Sequence, residues 1–447
     1  SLDFQNDFAP RTRVDLRGTS ATLDWELGDA MLKSITAYRY SKLNTRTDSD
    51  GTSAAIINID PILQTSKQFT QEFNLSGQGL DGRLDWLLGA FYLNDRSNVA
   101  SDIFIPSLGD LIIASGSFTN AVPPPAFDLS QPFIPNLLQI IADPVLGTTI
   151  VGGVIPTTAF LGFGAKQKSE SAAGFGQATL KATDRLRLTA GLRYTRDTKD
   201  VERTLHSNFV PAAALCETQS KRSWDAFTGT AGVDYDVGSR TLAYAKVSRG
   251  YKAGGFNPGE CTGSFDPETI WAYEGGLKAT VAQGQVRLNT AAFYYDFQNI
   301  QFTTFDNNAS TIKNAANAKV YGVEVEYTIA PDALLGLTLD GSASYINSKY
   351  GSQMLQDPLG LATLDIGGNQ LIRAPKWKAN FGAQYELQTG ALGDFTFRGE
   401  GAYTSKVFHD VFNGEAPFQS GTVQPGFWIA NARLIWEPDD ARFQAQV

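Results

Sequence analysis

The chain of 447 residues carries a formal net charge of −9 and a pI near 4.9, an acidic balance that excludes general nucleic-acid binding, which needs a basic face. With 42% apolar and 19% charged residues it is not a disordered tail, and two cysteines exclude a disulfide-dense scaffold. Abundant Gly (43) and aromatics (11%) beside two Met favour strands and turns over helices.

The chain opens SLDFQNDF, without Met, and stops at ARFQAQV inside a strand-like pattern, as expected of a fragment cut at both ends. No clean apolar run of about 18 residues marks a spanning helix. Period-2 alternation dominates. In 186–194, Leu186, Leu188, Ala190, Leu192 and Tyr194 share one face, and Arg187, Thr189, Gly191 and Arg193 the other. In 285–294, Val286, Leu288, Thr290, Ala292 and Tyr294 stand opposite Arg287 and Asn289. Tyr321, Val323, Val325 and Tyr327 oppose Glu324 and Glu326, and Trp428, Ala430, Ala432, Leu434 and Trp436 oppose Asn431 and Arg433. An amphipathic helix would not keep this two-residue beat.

About sixteen such strands can be counted. Short connections fall at 26–30, 79–83, 182–185, 236–239, 282–284, 330–332 and 437–440. Long ones fall near 47–66, 98–166, 200–222, 252–266, 299–316, 348–372 and 406–424. Alternating short and long connections predict an all-β, antiparallel up-and-down meander with one trimmed and one elaborated end. Transmembrane β-barrels have that asymmetry, with short periplasmic turns and long extracellular loops. Many candidate strands run about 13 residues, which at ~3.3 Å per residue and ~40° tilt rise roughly 33 Å, so they would project above the bilayer. Tyr194, Tyr294, Tyr327, Tyr345, Tyr403, Trp428 and Trp436 near strand ends suit interfacial girdles.

An Arg on the lipid face near mid-bilayer costs about 2–4 kcal/mol. Arg187, Arg193, Glu274, Lys278, Arg287, Glu324, Glu326, Arg398, Glu400 and Arg433 are therefore assigned to the lumen. A soluble sandwich or propeller is the alternative, but a propeller should show a fixed repeat, and none is present. Segment 98–166 is long, apolar and Pro-rich; Pro135, Asp143, Pro144 and Pro156 cut it into pieces too short to span. It is expected to be a partly ordered extracellular lid with a short helix around 135–142.

Catalytic motifs are missing. His206 and His409 sit in different long stretches, with no H-E-x-x-H, G-x-S-x-G or C-x-x-C pattern. Neither an enzyme, a metal site nor a resident cofactor is indicated. Gly254 to Gly259 have P-loop spacing, but Glu260 and Cys261 occupy the Lys and Ser/Thr positions, and a carboxylate there repels phosphate. RTDSDG at 46–51 resembles the middle of a calcium loop but lacks its first and last ligands, so a polar turn is the simpler reading. Cys216 and Cys261 lie in neighbouring long connections on the outer, oxidising side, and a disulfide pinning one to the other is expected.

The stretch YAKVSRGYKAGGFNPG, running from Tyr244 to Gly259, resembles the strand-and-rim signature of TonB-dependent outer-membrane receptors. In the following FDPETIWAYEGGLKATV (265–281), Pro267, Glu268, Tyr273, Glu274, Gly276 and Lys278 match that family's Pro-Glu…Tyr-Glu-x-Gly-x-Lys pattern. QEFNLSG (71–77), LDWLLGAFY (84–92), NAKVYGVEVEY (317–327) and RAPKWKANFGAQYE (373–386) add to the likeness, which covers nearly everything outside 98–166.

The resemblance implies a barrel of about 22 strands plugged by an N-terminal domain, of which residues 1–447 would be the barrel part without the plug or last strand. It implies an outer-membrane importer of a scarce small ligand, most readily a ferric siderophore, with haem, cobalamin or an oligosaccharide as alternatives. The implied partners are outer-membrane lipid and lipopolysaccharide, and the TonB complex acting through the plug. Tyr251, Lys252, Phe256, Phe302 and Phe305 are the candidate rim contacts for the ligand, with loop packing as the competing role for each. A passive porin and a soluble β-rich binding protein are the other hypotheses.

Overall fold

The computed structural model describes residues 10–48, 58–105, 159–207, 216–306, 309–314, 317–356, 363–414, 422–438 and 445–446. The strands are β1 (Arg11–Leu27), β2 (Ala30–Asp48), β3 (Asn58–Gly79), β4 (Leu84–Ile105), β5 (Ala159–Lys181), β6 (Leu186–Ser207), β7 (Cys216–Gly238), β8 (Thr241–Lys252), β9 (Glu268–Val281) and β10 (Val286–Gln298). A hairpin of β11 (Gln301–Asp306) and β12 (Ala309–Asn314) precedes β13 (Ala318–Ile329) and β14 (Leu337–Tyr350). Then come a hairpin of β15 (Met354–Gln356) and β16 (Thr363–Asp365), β17 (Trp377–Gln388), β18 (Asp394–Thr404), a clip of β19 (Val407–Phe408) and β20 (Val423–Gln424), β21 (Phe427–Glu437) and β22 (Ala445–Gln446).

Sixteen strands form one sheet in the order β1 to β10, β13, β14, β17, β18, β21, β22, and each pairs antiparallel with its neighbour along the chain. The expected all-β meander is present. No described helix is long and apolar enough to cross a membrane.

Strand length differs from expectation. β3 to β7 run 22 or 23 residues, and the described parts of the stretches read as loops at 47–66, 98–166 and 200–222, namely 47–48, 58–66, 98–105, 159–166, 200–207 and 216–222, are strand. Above the bilayer both strand faces are wet, so the apolar alternation that marks a membrane strand stops while pairing continues: Asp200 sits opposite Lys221 and Glu202 opposite Gln219. His206 accordingly lies on β6, beside Asp102 of β4, and not in a loop. A short turn at 389–393 joins β17 to β18 through positive-φ Gly390 and Gly393, and sequence reading missed it. The central part of segment 98–166, with its expected helix, and residues 49–57 lie outside the described residues.

The two faces follow the charge argument. Leu192, Phe227, Tyr273, Tyr321, Phe381 and Trp428 project outward and are exposed, as lipid-facing side chains are in a bare chain. They pair into a belt: Tyr194 with Phe227 (ring centroids 4.8 Å), Tyr345 with Trp377 (4.7 Å) and Tyr403 with Trp428 (4.9 Å). On the other face, Arg187 forks onto Asp236 (2.6 and 3.0 Å), and Arg398 onto Asp340 (2.8 and 3.0 Å) while also holding Glu400. The Tyr244 hydroxyl donates to Glu274 at 2.7 Å.

The packed apolar core lies in the loop end. Phe302, Ala318, Tyr350, Ile366, Val411 and Phe412 are all buried together, drawn from three connections and the outer ends of β13 and β14. Below them, Phe293 covers its cross-strand partner Gly322 and stacks on Tyr295 at 4.8 Å. A Cβ at Gly322 would collide with the Phe293 ring and the Tyr345 carbonyl oxygen, whereas one at Gly399 would meet nothing within 4 Å. Gly322→Ala is therefore expected to cost about 1–3 kcal/mol, and Gly399→Ala to stay within about 0.5 kcal/mol. Urea unfolding midpoints in detergent check the pair; equal losses would contradict this packing.

Candidate functional site

β8 leaves the sheet at Lys252 and the chain turns at once into loop 253–267. Two glycines make the turn possible. A Cβ at Gly254 would collide with the Phe265 carbonyl oxygen and the Trp224 indole. Gly255 pairs with Phe265 through two backbone bonds of 3.1 and 2.9 Å, closing the loop into a small hairpin laid over Trp224.

The raised parts of β6 and β7 supply the floor. At ~3.3 Å per residue and ~40° tilt, Lys199 stands roughly 33 Å above the turn that starts β6, beyond the apolar band of about 25 Å. Its ammonium donates to the Gly254 carbonyl at 2.7 Å and lies 5.9 Å from the Trp224 ring. Burial holds its pKa below the usual lysine range; Asp197 opposes that and the like charge of Lys252 adds to it. Arg203, only 1% exposed, donates to the Thr262 and Gly263 carbonyls (3.3 Å each) and to the Ser220 hydroxyl (2.9 Å), with its guanidinium 5.4 Å from the Phe256 ring. Burial lowers its pKa, against the pull of Glu260. Arg222 donates to Ser264 and Asp266 (2.7 Å each) and lies 5.4 Å from Trp224.

The far side of the loop is tied to the β11–β12 hairpin. Asn257 exchanges bonds with the Ile312 backbone (3.0 and 2.9 Å), Thr311 donates to Glu260 at 2.9 Å, and the Gln301 amide donates to the Ala253 and Asp266 carbonyls. Cys216, the first residue of β7, is disulfide-bonded to Cys261 with a Cα–Cα distance of 5.9 Å. Closing a loop of that length restricts the unfolded chain by about 4 kcal/mol in the chain-entropy account.

The five rim candidates separate by position. The Tyr251 hydroxyl is buried, and its ring lines a cavity of about 350 Å³ with Arg193, Thr195, Asp197 and Arg249. Lys252 is exposed at the strand end opposite Glu268. Phe256 packs between Arg203 and Trp224, 6.1 Å from the indole. Phe302 is 5% exposed inside the loop core. Phe305 pairs with Ser310 near the hairpin tip, and its side chain lies outside the described residues. Tyr251, Lys252 and Phe256 thus share one neighbourhood, and Phe302 belongs to another.

Lys199, Arg203, Arg222 and Trp224 are not among the sequence candidates: Arg203 and Arg222 fall within 200–222, which reads as a loop, and Lys199 and Trp224 flank it. The available signal was KRSW at 221–224, an alternating cationic and aromatic run continuous with strand β7. Arg222 and Lys252 are exposed at this rim, whereas Arg203 and Trp224 lie buried under the loop, so the buried groups add charge and support while the exposed pair can reach an acceptor-rich ligand. His206 lies on β6 three residues beyond Arg203 and beside Asp102, and no group of three metal-ligating side chains occurs among the described residues.

The clamp generates two expectations. Gly254→Ala should lift the loop from Trp224 and cost about 1–3 kcal/mol, read as a lowered unfolding midpoint. Cys216→Ser with Cys261→Ser should make loop 253–267 a protease site on intact cells, as should reducing the native protein; unchanged digestion in both cases would show that the side-chain ties suffice. A non-reduced digest should contain the Cys216 and Cys261 peptides joined.

The family model for the TonB dependent receptor-like β-barrel matches residues 2–447. Among curated proteins, the metal-pseudopaline receptor CntO of Pseudomonas aeruginosa is 25% identical over 217 residues, 48% of this chain and 28% of that protein. The pesticin receptor of Yersinia pestis is 26% identical over 202 residues, 44% of this chain and 28% of that protein. The ferric yersiniabactin uptake receptor FyuA of Yersinia pestis aligns with a TM-score of 0.70 at 18% identity, over 96% of this chain and 55% of that one. The siderophore receptor PiuA of Acinetobacter baumannii gives 0.65 at 18% identity, over 97% and 60%. The chain thus spans little more than half the length of the solved receptors it resembles, and the likeness to them is one of fold. The whole-length family match carries membership: the chain belongs to the TonB-dependent receptor β-barrel family, which sits in the outer membrane of Gram-negative bacteria.

Proposed function

We propose that this barrel serves an outer-membrane importer that captures a metal chelate, most readily a ferric siderophore, at the cationic and aromatic rim around loop 253–267. The observation that carries the reading is the clustering of Lys199, Arg203, Arg222 and Lys252 with Trp224 and Phe256 at the outer end of the sheet. Anionic, oxygen-rich chelates with aromatic or aliphatic arms match such a surface. Receptor names among its relatives and structural neighbours, for metal-pseudopaline and ferric yersiniabactin, support a chelate over a sugar.

In this reading Lys252 and the Tyr251 ring touch the ligand, with Phe305 as a further candidate contact. Phe256 and Phe302 hold the surface in shape. Energy comes from TonB through the plug, which moves to let the ligand pass.

Deleting the full-length gene should impair growth under iron limitation on at least one ferric chelate of a panel. A defect confined to another metal chelate, to haem or to cobalamin would move the ligand but keep the importer. Uptake that persists after the TonB complex is removed would decide for a passive channel. With the ligand in hand, Lys252→Ala should weaken binding to the purified receptor by about tenfold, the value of a charge-assisted hydrogen bond.

A further inference from the structure

The wall splits between β7 and β8 where it leaves the membrane. Their register climbs from the connecting turn to Gly229 opposite Arg249 and stops there. On either side pairing goes on. β7 continues along β6 as far as Cys216 opposite Leu205, and β8 continues along β9 as far as Lys252 opposite Glu268. At ~3.3 Å per residue and ~40° tilt, Gly229 stands roughly 23 Å above Gly238, close to the top of an apolar band about 25 Å tall. Backbone groups at that height begin to meet water and no longer need a partner in the protein, so the ladder can end there.

A comparable overhang elsewhere is closed by the backbone. β14 extends beyond its register with β17, and there the Ile346 and Tyr350 N–H groups donate to the Lys376 and Asn369 carbonyls at 2.9 Å each. Along β7 above Gly229, no backbone hydrogen bond among the described residues reaches β8 or loop 253–267. Side chains bridge the seam instead. Lys199 donates to Gly254, Arg203 to Thr262 and Gly263, Thr218 to the Cys261 carbonyl at 2.8 Å, and Arg222 to Ser264 and Asp266, beside the Cys216–Cys261 disulfide. The other flank of the same loop is fastened to the β11–β12 hairpin through Asn257, Glu260 and Asp266. At the foot of the seam, the cavity of about 350 Å³ is lined from one side by Thr228 and from the other by Arg249, Gly250 and Tyr251. Close packing resists movement, and here it is interrupted.

We propose that the β7–β8 seam is a joint at which the raised parts of β6 and β7 swing against β8 and β9, and that loop 253–267 is the strap that keeps it shut. The exposed Arg222 and Lys252 belong to opposite sides of the seam, so the spacing of the rim's accessible charges follows the joint. The joint depends on where pairing stops and on what ties the gap, and it stands whatever the ligand is.

The test uses the full-length receptor in detergent, with pairs of spin labels read as distance distributions. Gln219 and Lys319 stand on opposite sides of the seam, Gln219 and Lys166 on the same side, and all three are exposed. With the strap native, each pair should give one narrow distance. Arg222→Gln combined with Cys216→Ser and Cys261→Ser should add to the first pair a population longer by about 5 Å, one strand spacing, and leave the second pair unchanged. A first pair that does not move, or two pairs that broaden alike, would overturn the joint. Should that variant fail to fold, hydrogen exchange of the native receptor decides. About half the amides of 217–228 should exchange well before those of 200–205, which lie at a similar height on β6 and are paired on both edges. Equal protection of the two stretches would overturn the proposal.

Discussion

In a bilayer no water is present to pair an exposed N–H or C=O, so every backbone group of a spanning segment must find a partner in the protein. That constraint organises the whole sheet. It requires each strand to be hydrogen-bonded along its spanning length, and the long registers of β3 to β7, broken only by a shift between Ile59 and Ile62 at the outer end of β3, meet it. It also separates the faces, because the side that meets lipid can carry Leu, Phe and Trp but no unpaired charge. Charges are collected on the inner face, where Arg187 and Asp236, and Arg398 and Asp340, neutralise one another across strands.

Above the bilayer the constraint relaxes, and side chains take over the work of ordering the chain. The loop end has what the wall lacks: a buried apolar cluster, a disulfide, and arginines shared between carbonyls and rings. A rim held by many short-range ties presents a fixed surface, so a ligand need not also order the loop on which it lands. The same residues that fasten loop 253–267 supply its positive charge. If the proposed ligand lands there, fastening and recognition draw on one set of groups, and Phe256, packed between Arg203 and Trp224, belongs to the fastening.

The wall was legible in the sequence and the rim was only partly so. Alternation in 186–194, 285–294, 321–327 and 428–436 survives because one face of each strand meets lipid and the other the lumen. Where both faces are wet, as in 199–207 and 216–223, alternation carries no hydrophobic signal, and paired strand reads as loop. The Cys216–Cys261 link could be anticipated because loop parity alone puts both on the outside. Arg203 could not, since its burial depends on a loop some 60 residues away folding back over it. Likewise the sequence marks Phe302 as an aromatic in an outer connection but does not reveal the cluster that buries it.

The order of pairings bears on how the molecule assembles. Each of the sixteen sheet strands bonds to the next sheet strand along the chain, so the wall can grow hairpin by hairpin with modest loop closure at each step. The rim contacts have the opposite character. Asn257 reaches Ile312 across 55 positions, and Asn369 reaches Val411 across 42, so they form only once β9, β10 and the later strands have been added. The wall sets first and the outer fastenings close last. The outer fastenings therefore presuppose a completed wall, whereas the pairing of the wall does not depend on them.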